Sequence, residues 1–207
     1  MLPTAVLALA AGILLGALAA LRQNTAIDRL TMTVAVAGFA VPNFLVGILL
    51  IYCFSVQLGW LMPSGIVDWR SWLMPVVTMA SAEAAIFALF TRSAMVEVLG
   101  HPMMRTALAN GLPWHEAVRR HALPNAAIPV VTVAGLFFGA LIGGGVVTEN
   151  VFAWPGLGRL LVDAVGARDY AVVQTVVMLV GTTMIVANLL VDLAYGWIDP
   201  RIRDQRR

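Results

Sequence analysis

The sequence contains no lysine; every one of its 13 Lys or Arg residues is an arginine. A Walker A phosphate loop needs a lysine to reach the terminal phosphates of a nucleotide. This chain therefore holds no standard one, and any process driven by ATP would need another polypeptide to bind it. Cysteine is almost absent too. Cys53 stands alone inside an apolar run, without a partner for a disulfide or a metal-ligand spacing, and reads as small apolar filler. The three histidines are His101, His115 and His121. His115-Glu116 begins the H-E-x-x-H zinc pattern, but Arg119 occupies the second histidine position and His121 falls on another helix face, so ligation from one helix fails. No metal site and no catalytic residue are expected. Intramembrane serine chemistry lacks a histidine within any apolar run. Charge is scarce as well: 12% of residues, against about a quarter in an ordinary soluble domain. The formal net charge of +2 is too small to suggest nucleic acid.

What is present is apolar. Hydrophobic residues make up 60% of the 207 residues, and mean hydropathy is +0.88. A soluble body of this size could not enclose so much apolar surface, which excludes a soluble enzyme. Five runs reach the roughly 20 residues that a membrane helix needs: 2–21, 30–58, 72–91, 125–148 and 171–198. None alternates like a barrel strand, and helices satisfy their own backbone in lipid. The expected fold class is all-α, a polytopic transmembrane bundle of about five spans forming a single domain over 1–207. The first run has no basic segment before it, and Arg22 follows it, so it reads as a retained span rather than a signal peptide.

Arginine distribution sets the expected orientation. Segment 22–29 holds Arg22 and Arg29; segment 92–123 holds Arg92, Arg105, Arg119 and Arg120; the tail holds Arg201, Arg203, Arg206 and Arg207. With alternating spans these share one side, and only Arg70, Arg159 and Arg168 lie opposite. The richer side is cytoplasmic, which puts the N-terminus outside and the C-terminus inside. A start that meets a span almost at once leaves nothing ahead to direct insertion, so a start upstream of Met1 is one expectation.

Gly12 and Gly16 form a GxxxG pair, and Gly135, Gly139 and Gly143 line one face of the fourth run. Such faces let another helix backbone approach closely. Both a subunit contact and ordinary packing within the chain fit them. Pro42 and Pro129 are candidate kinks, with Asn43 placed to satisfy backbone groups freed at the first and, together with Glu83, a candidate pathway residue. Glu83, near the middle of the third span, is costly as a carboxylate unless it faces protein or water. It reads either as a pathway group that receives an amino terminus or cation, or as a protonated structural residue. Asn188 and Asp192 share a face of the last span and read as a structural pair.

The segment 92–124 is too long and too polar for a plain connector. Its spacing predicts a helix from Ser93 to Leu108 interrupted at Pro102, and a turn at Asn110-Gly111. Pro113 then stands at a first helical position, ahead of a short amphipathic helix from Trp114 to Leu123 ended by Pro124. Trp114, His115, Arg119 and Arg120 would be presented to a partner's groove. On the opposite side, 149–170 carries two apolar stretches around Trp154, Pro155 and Gly156. It reads as a short helix at the outer surface, with contact to a delivery protein, closure of a pathway, or an interfacial anchor at Trp154 as its alternatives.

The 92–124 pattern resembles the EAA loop of membrane subunits of ATP-binding-cassette importers: E-A-A-x-x-x-G, nine residues, then I-x-L-P. Arg105-Thr106-Ala107 occupies the EAA positions, Gly111 the glycine, and His121-Ala122-Leu123-Pro124 the closing motif. Ala107, Gly111, Leu123 and Pro124 match; Arg105, Thr106 and His121 depart. Those departures, the stretch Glu149 to Leu160 and the ending Asp199-Pro200-Arg201-Ile202-Arg203 are similar to the B-type permeases for dipeptides, oligopeptides and nickel. The resemblance implies a type I importer permease fold in a bacterial or archaeal cytoplasmic membrane. It also implies a second permease subunit of C type, two ATP-binding subunits that hold ATP and Mg, and an extracytoplasmic solute-binding protein. No cofactor would reside in this chain. Members usually carry another span before the point where this chain begins, which leaves a late start codon or a shortened variant as alternatives. The competing functional readings are an ion-coupled carrier using Glu83 and a non-transporting fragment.

Overall fold

The structure, a computed structural model, describes residues 2–141 and 145–198. All the regular structure among them is helical: α1 (Leu2–Leu21), α2 (Ala26–Ala40), α3 (Asn43–Leu50), α4 (Leu73–Gly100), α5 (Pro102–Ala109), α6 (Trp114–Ala117), α7 (Leu123–Leu141), α8 (Val146–Val151), α9 (Leu157–Gly166) and α10 (Tyr170–Ile198). Two wider π-helical stretches, Ile51–Gln57 and Val118–Ala122, continue α3 and join α6 to α7. The chain falls into two compact units: residues 2–42 with 80–134, and residues 43–79 with 135–198.

Uninterrupted helices long and apolar enough to cross a membrane cover Leu2–Leu21, Trp69–Gly100 and Tyr170–Leu190, in line with the first, third and fifth runs. The second run, predicted as one span over 30–58, is instead two helices that stop and restart at Val41-Pro42. Val41 takes an extended conformation, as the residue before a proline prefers, and its N–H closes α2 on the Ala37 carbonyl. The fourth run becomes α7, 19 residues long with Pro129 inside it.

In the first unit, α1 lies against α4. A Cβ at Gly12 would overlap Phe87 and the Ala84 carbonyl; one at Gly16 would overlap the Ala88 carbonyl and Thr91. The GxxxG pair is therefore used inside the chain. The register also fixes a direction: Gly12 meets 84–88 and Gly16 meets 88–91, so both helices run the same way. Between them the chain must return to the starting side. Of the other glycines, Gly135 and Gly139 lie in α7, and Gly143 falls outside the described residues.

In the second unit, α3 packs on α8, α8 on α9, and α9 on α10. Gly47 of α3 leaves room for Phe152, whose ring would stand 3.2 Å from a Cβ there; Phe152 is fully buried. The 149–170 region is thus not one short helix. Glu149 lies in the first turn of α8, which ends at Val151, and α9 starts after the Trp154-Pro155-Gly156 turn.

Candidate functional site

The 92–124 segment is built on one apolar core. Ala20, Ala94, Met95, Met104, Ala117, Val118, Ala122, Ala126 and Val130 bury together, joining the ends of α1 and α4 to α5, α6 and α7. α4 is 28 residues long, about 42 Å at 1.5 Å per residue. That exceeds the roughly 30 Å apolar core of a bilayer, so its last turns, from Arg92 on, project beyond the span.

α5 starts where His101 Nδ1 accepts the Met103 N–H (3.3 Å) with Pro102 as the first helical residue. It stops at Asn110, and Gly111 follows at φ +84°, the left-handed region that favours glycine. Pro113 is the residue flanking α6 rather than its first helical one. Beyond it the predicted end at Pro124 is overturned. The helix passes through Val118–Ala122 into α7 without leaving helical backbone, and Pro124 is the second residue of α7. The reason is the widened turn. The Leu123 N–H bonds the Val118 carbonyl, five residues back, which relieves the clash a proline makes with the carbonyl four back.

The predicted docking residues come together on the outside of this module. Arg105, Thr106, Gly111, Trp114, His115, Arg119, Arg120, Leu123 and Pro124 are exposed; Ala107 and His121 are half-buried. Trp114 is 50% exposed, an unusual position for an indole that nothing covers. Arg120 is paired with Glu116 one turn earlier (2.5 Å), whereas Arg105 and Arg119 form no ion pair among the described residues.

Sequence reasoning missed the module's tie to the rest of the unit. Asp28, in the first turn of α2, accepts from Arg92 Nε (2.6 Å) and Nη2 (2.7 Å), a bidentate pair, and from the Asn24 N–H (2.9 Å). The guanidinium holds the Asp28 carboxyl down at a pKa of about 2, against the opposing effect of burial. Arginines at the ends of apolar runs had read only as topology signals.

On the other predicted sites the structure is more reserved. Glu83 is half-buried in α4, and its Oε2 is buried without a hydrogen-bond partner among the described residues. Asn43 opens α3, half-buried, in the other unit. Asn188 is exposed on α10, and the Asp192 side chain lies outside the described set. Among the described residues no cluster of His, Cys, Asp or Glu has the make-up of a metal site.

The outer turn has its own logic. Gly156 flanks α9 with no side chain to cap it, and Glu149 does so from α8: its Oε2 accepts the Arg159 N–H (3.0 Å). A Cβ at Gly156 would overlap that carboxylate, and one at Gly158 would crowd it and Val146. Arg159 Nη1 donates to the Ala153 carbonyl (2.6 Å), and Trp154 meets Trp72 edge-on at 4.8 Å. Sequence reasoning placed Glu149, Phe152 and Arg159 within a longer stretch but gave none of them these contacts.

These features define a multi-pass helical membrane protein carrying a rigid, exposed turn-and-helix at one end of its spans. The model of the family described as "binding-protein-dependent transport system inner membrane component" matches residues 12–204, and the chain belongs to that family. The glutathione transport system permease protein GsiC of Escherichia coli strain K12 is 49% identical over 192 residues, covering 93% of this chain. GsiC of Shigella boydii serotype 4 is 48% identical over the same share. The chain spans 63% of the length of these relatives. The crystal structure of an amino acid ABC transporter with histidines has the same fold, with a TM-score of 0.67 at 18% identity over 96% of this chain and 88% of that one.

Proposed function

We propose that this chain is a membrane-spanning subunit of an ATP-driven importer in a bacterial cytoplasmic membrane, itself without catalytic chemistry. It pairs with a second permease subunit, of C type, above two subunits that bind ATP and Mg. An extracytoplasmic binding protein delivers the solute. The solute class is small peptides, glutathione included, since relatives half identical to this chain are named for glutathione transport. The single observation that carries the reading is the coupling module: an exposed Trp114 helix continuous with α7, next to a left-handed Gly111 turn, on a buried core that includes the ends of α1 and α4. Trp114, His115, Arg105 and Arg119 enter a cleft on the ATP-binding subunit, and closure of that subunit moves the spans. The C-terminus is then cytoplasmic, and 149–170 faces the binding protein.

Glu83 is the pathway group on this reading, supported by a buried oxygen that has no hydrogen-bond partner among the described residues. Asn43 gains no contact among the described residues that gives it a role. The test is native mass spectrometry of the complex solubilised from its own host. Two ATP-binding subunits and a second membrane subunit are expected, together with ATP hydrolysis stimulated by binding protein loaded with peptide or glutathione. A complex without an ATP-binding subunit overturns the reading and returns Glu83 to the role of an ion-coupling carboxylate.

A further inference from the structure

The segment from Leu58 to Trp72, between the π-helical end of α3 and the start of α4, has an unusual combination of properties for a loop. Its side chains are exposed and apolar: Trp60, Met62, Ile66, Val67 and Trp69 all show half or more of their surface, and Leu58 and Trp72 nearly half. A water-facing connector does not carry such a patch without a partner. About half of its backbone amides are also satisfied within the protein. The Leu58 N–H bonds the Cys53 carbonyl, Trp60 and Leu61 share the Phe54 carbonyl, and Gly65 bonds the Phe152 carbonyl (2.9 Å). Val67 and Asp68 both donate to Ser71 Oγ, and Arg70 and Ser71 to Asp68 Oδ1. In water those amides could be left to solvent; near lipid each unpaired one is costly.

The charges are handled in the same way. Asp68 is consumed by capping the helical turn Trp69–Trp72, and the Arg70 guanidinium lies 5.7 Å above the Trp69 ring. Indoles paired with an arginine that can reach outward suit the boundary between headgroups and acyl chains. Both neighbours of the loop, α3 with its continuation and α4, belong to membrane runs, so the loop starts and ends at that boundary.

We propose that 58–72 is a membrane-seated loop whose partner is the lipid headgroup–acyl boundary of one leaflet, with Trp60, Val67 and Trp69 as its inserted contacts. Through the Gly65–Phe152 bond and the Trp72–Trp154 contact it sets the height of the α8–α9 turn relative to the bilayer. The inference stands apart from the transport reading, since it concerns lipid and not solute.

The test is nitroxide depth measurement on the full chain, with its copurifying subunits, in vesicles of phosphatidylethanolamine and phosphatidylglycerol. In a Cys53→Ser background, Trp60→Cys, Val67→Cys and Trp69→Cys are labelled in turn. Gln23→Cys serves as the aqueous reference and Met178→Cys as the apolar one. Collisions with oxygen are expected to exceed those with a water-soluble nickel chelate at all three loop positions. Preference for the nickel chelate, as at position 23, overturns the proposal. Protection from both reagents overturns it too, because a protein partner would then cover the patch. Val67→Cys keeps every tryptophan in place, so the measurement survives a tryptophan variant that fails to fold.

Discussion

Replacing Asp28 by asparagine tests the tie between α2 and the 92–124 module with almost no change in shape. The carboxylate takes three donors: Arg92 Nε, Arg92 Nη2 and the Asn24 N–H. An asparagine offers one oxygen, so whichever donor it serves, its amide NH2 faces the others donor to donor. The Asp28 side chain is 4% exposed and Arg92 27%. Removing one member of a buried pair costs about 3–5 kcal/mol. Water at the guanidinium lowers that, and about 2 kcal/mol is expected here. For a chain of this size that is a fall of about 4–8 °C in Tm, read by the loss of the monodisperse gel-filtration peak on heating in detergent. Asp28→Leu with Arg92→Met removes both charges together and should recover more than half of the loss. The acid limb adds a sign. Because the folded pKa lies near 2, below the ordinary 3.8, the stabilisation is fully present above about pH 4 and disappears as pH falls toward 2. The parent Tm should therefore drop more steeply than that of Asp28→Asn across this window. An Asp28→Asn protein with unchanged Tm and the same acid slope would refute the reasoning, as would a double variant less stable than the single.

Gly111→Val puts a β-branched residue at φ +84° in open surroundings, so strain of about 1–2 kcal/mol falls on the turn alone. Membrane insertion is expected to persist while solute-stimulated ATP hydrolysis falls at least tenfold; a parent-like stimulation would remove the turn from the coupling route. Gly16→Val should push α1 off the Ala88 carbonyl and cost about 2 kcal/mol or more, seen as lost Tm, whereas Gly181→Ala on α10, with open space around it, should leave Tm within a degree or two. Glu149→Ala should cost about 1 kcal/mol through the lost cap on α9. Gly156→Ala, which collides with that carboxylate, should be better tolerated in the Glu149→Ala background than alone, a non-additivity that a double-mutant cycle measures.

Features governed by local chemistry were legible in the sequence. Asn110-Gly111 announces a turn, the GxxxG pair a close helix contact, and Pro42 a kink in its run, because each depends on one or two residues. What escaped the sequence depends on a partner far along the chain. Asp28 and Arg92 are 64 residues apart, and each alone looks like a charge at the end of an apolar run. Glu149 caps a helix that is not its own. The only hint was negative: a glycine at Gly156 where a capping side chain belongs, and another at Gly158 where bulk would be harmless unless something filled the space. The π-helical stretches are invisible for a different reason. One extra residue per turn shifts an apolar pattern by too little to register against the 3.6-residue period.

That last blind spot changes how the module can move. With Pro124 as a stop, the Trp114 helix would hang between two flexible joints, and a force on it would be lost in the second. The backbone instead stays helical from Trp114 through Leu141: Ala117, Val118 and Leu123 all keep φ near −60° and ψ between −43° and −49°. Val118, Ala122, Ala126 and Val130 recur every four residues as one buried stripe along it, clamped on Met95 and Met104. A load on the exposed face of Trp114 is therefore carried by a packed, continuous helix into the apolar run. At the other end the turn is closed by the Gly111 N–H on the Leu108 carbonyl and the Leu112 N–H on the Ala107 carbonyl, and Leu112 packs on the same core. Both ends of the exposed helix are therefore held, so straining the Gly111 turn at φ +84° should displace Trp114 more than any substitution at the exposed positions of α7.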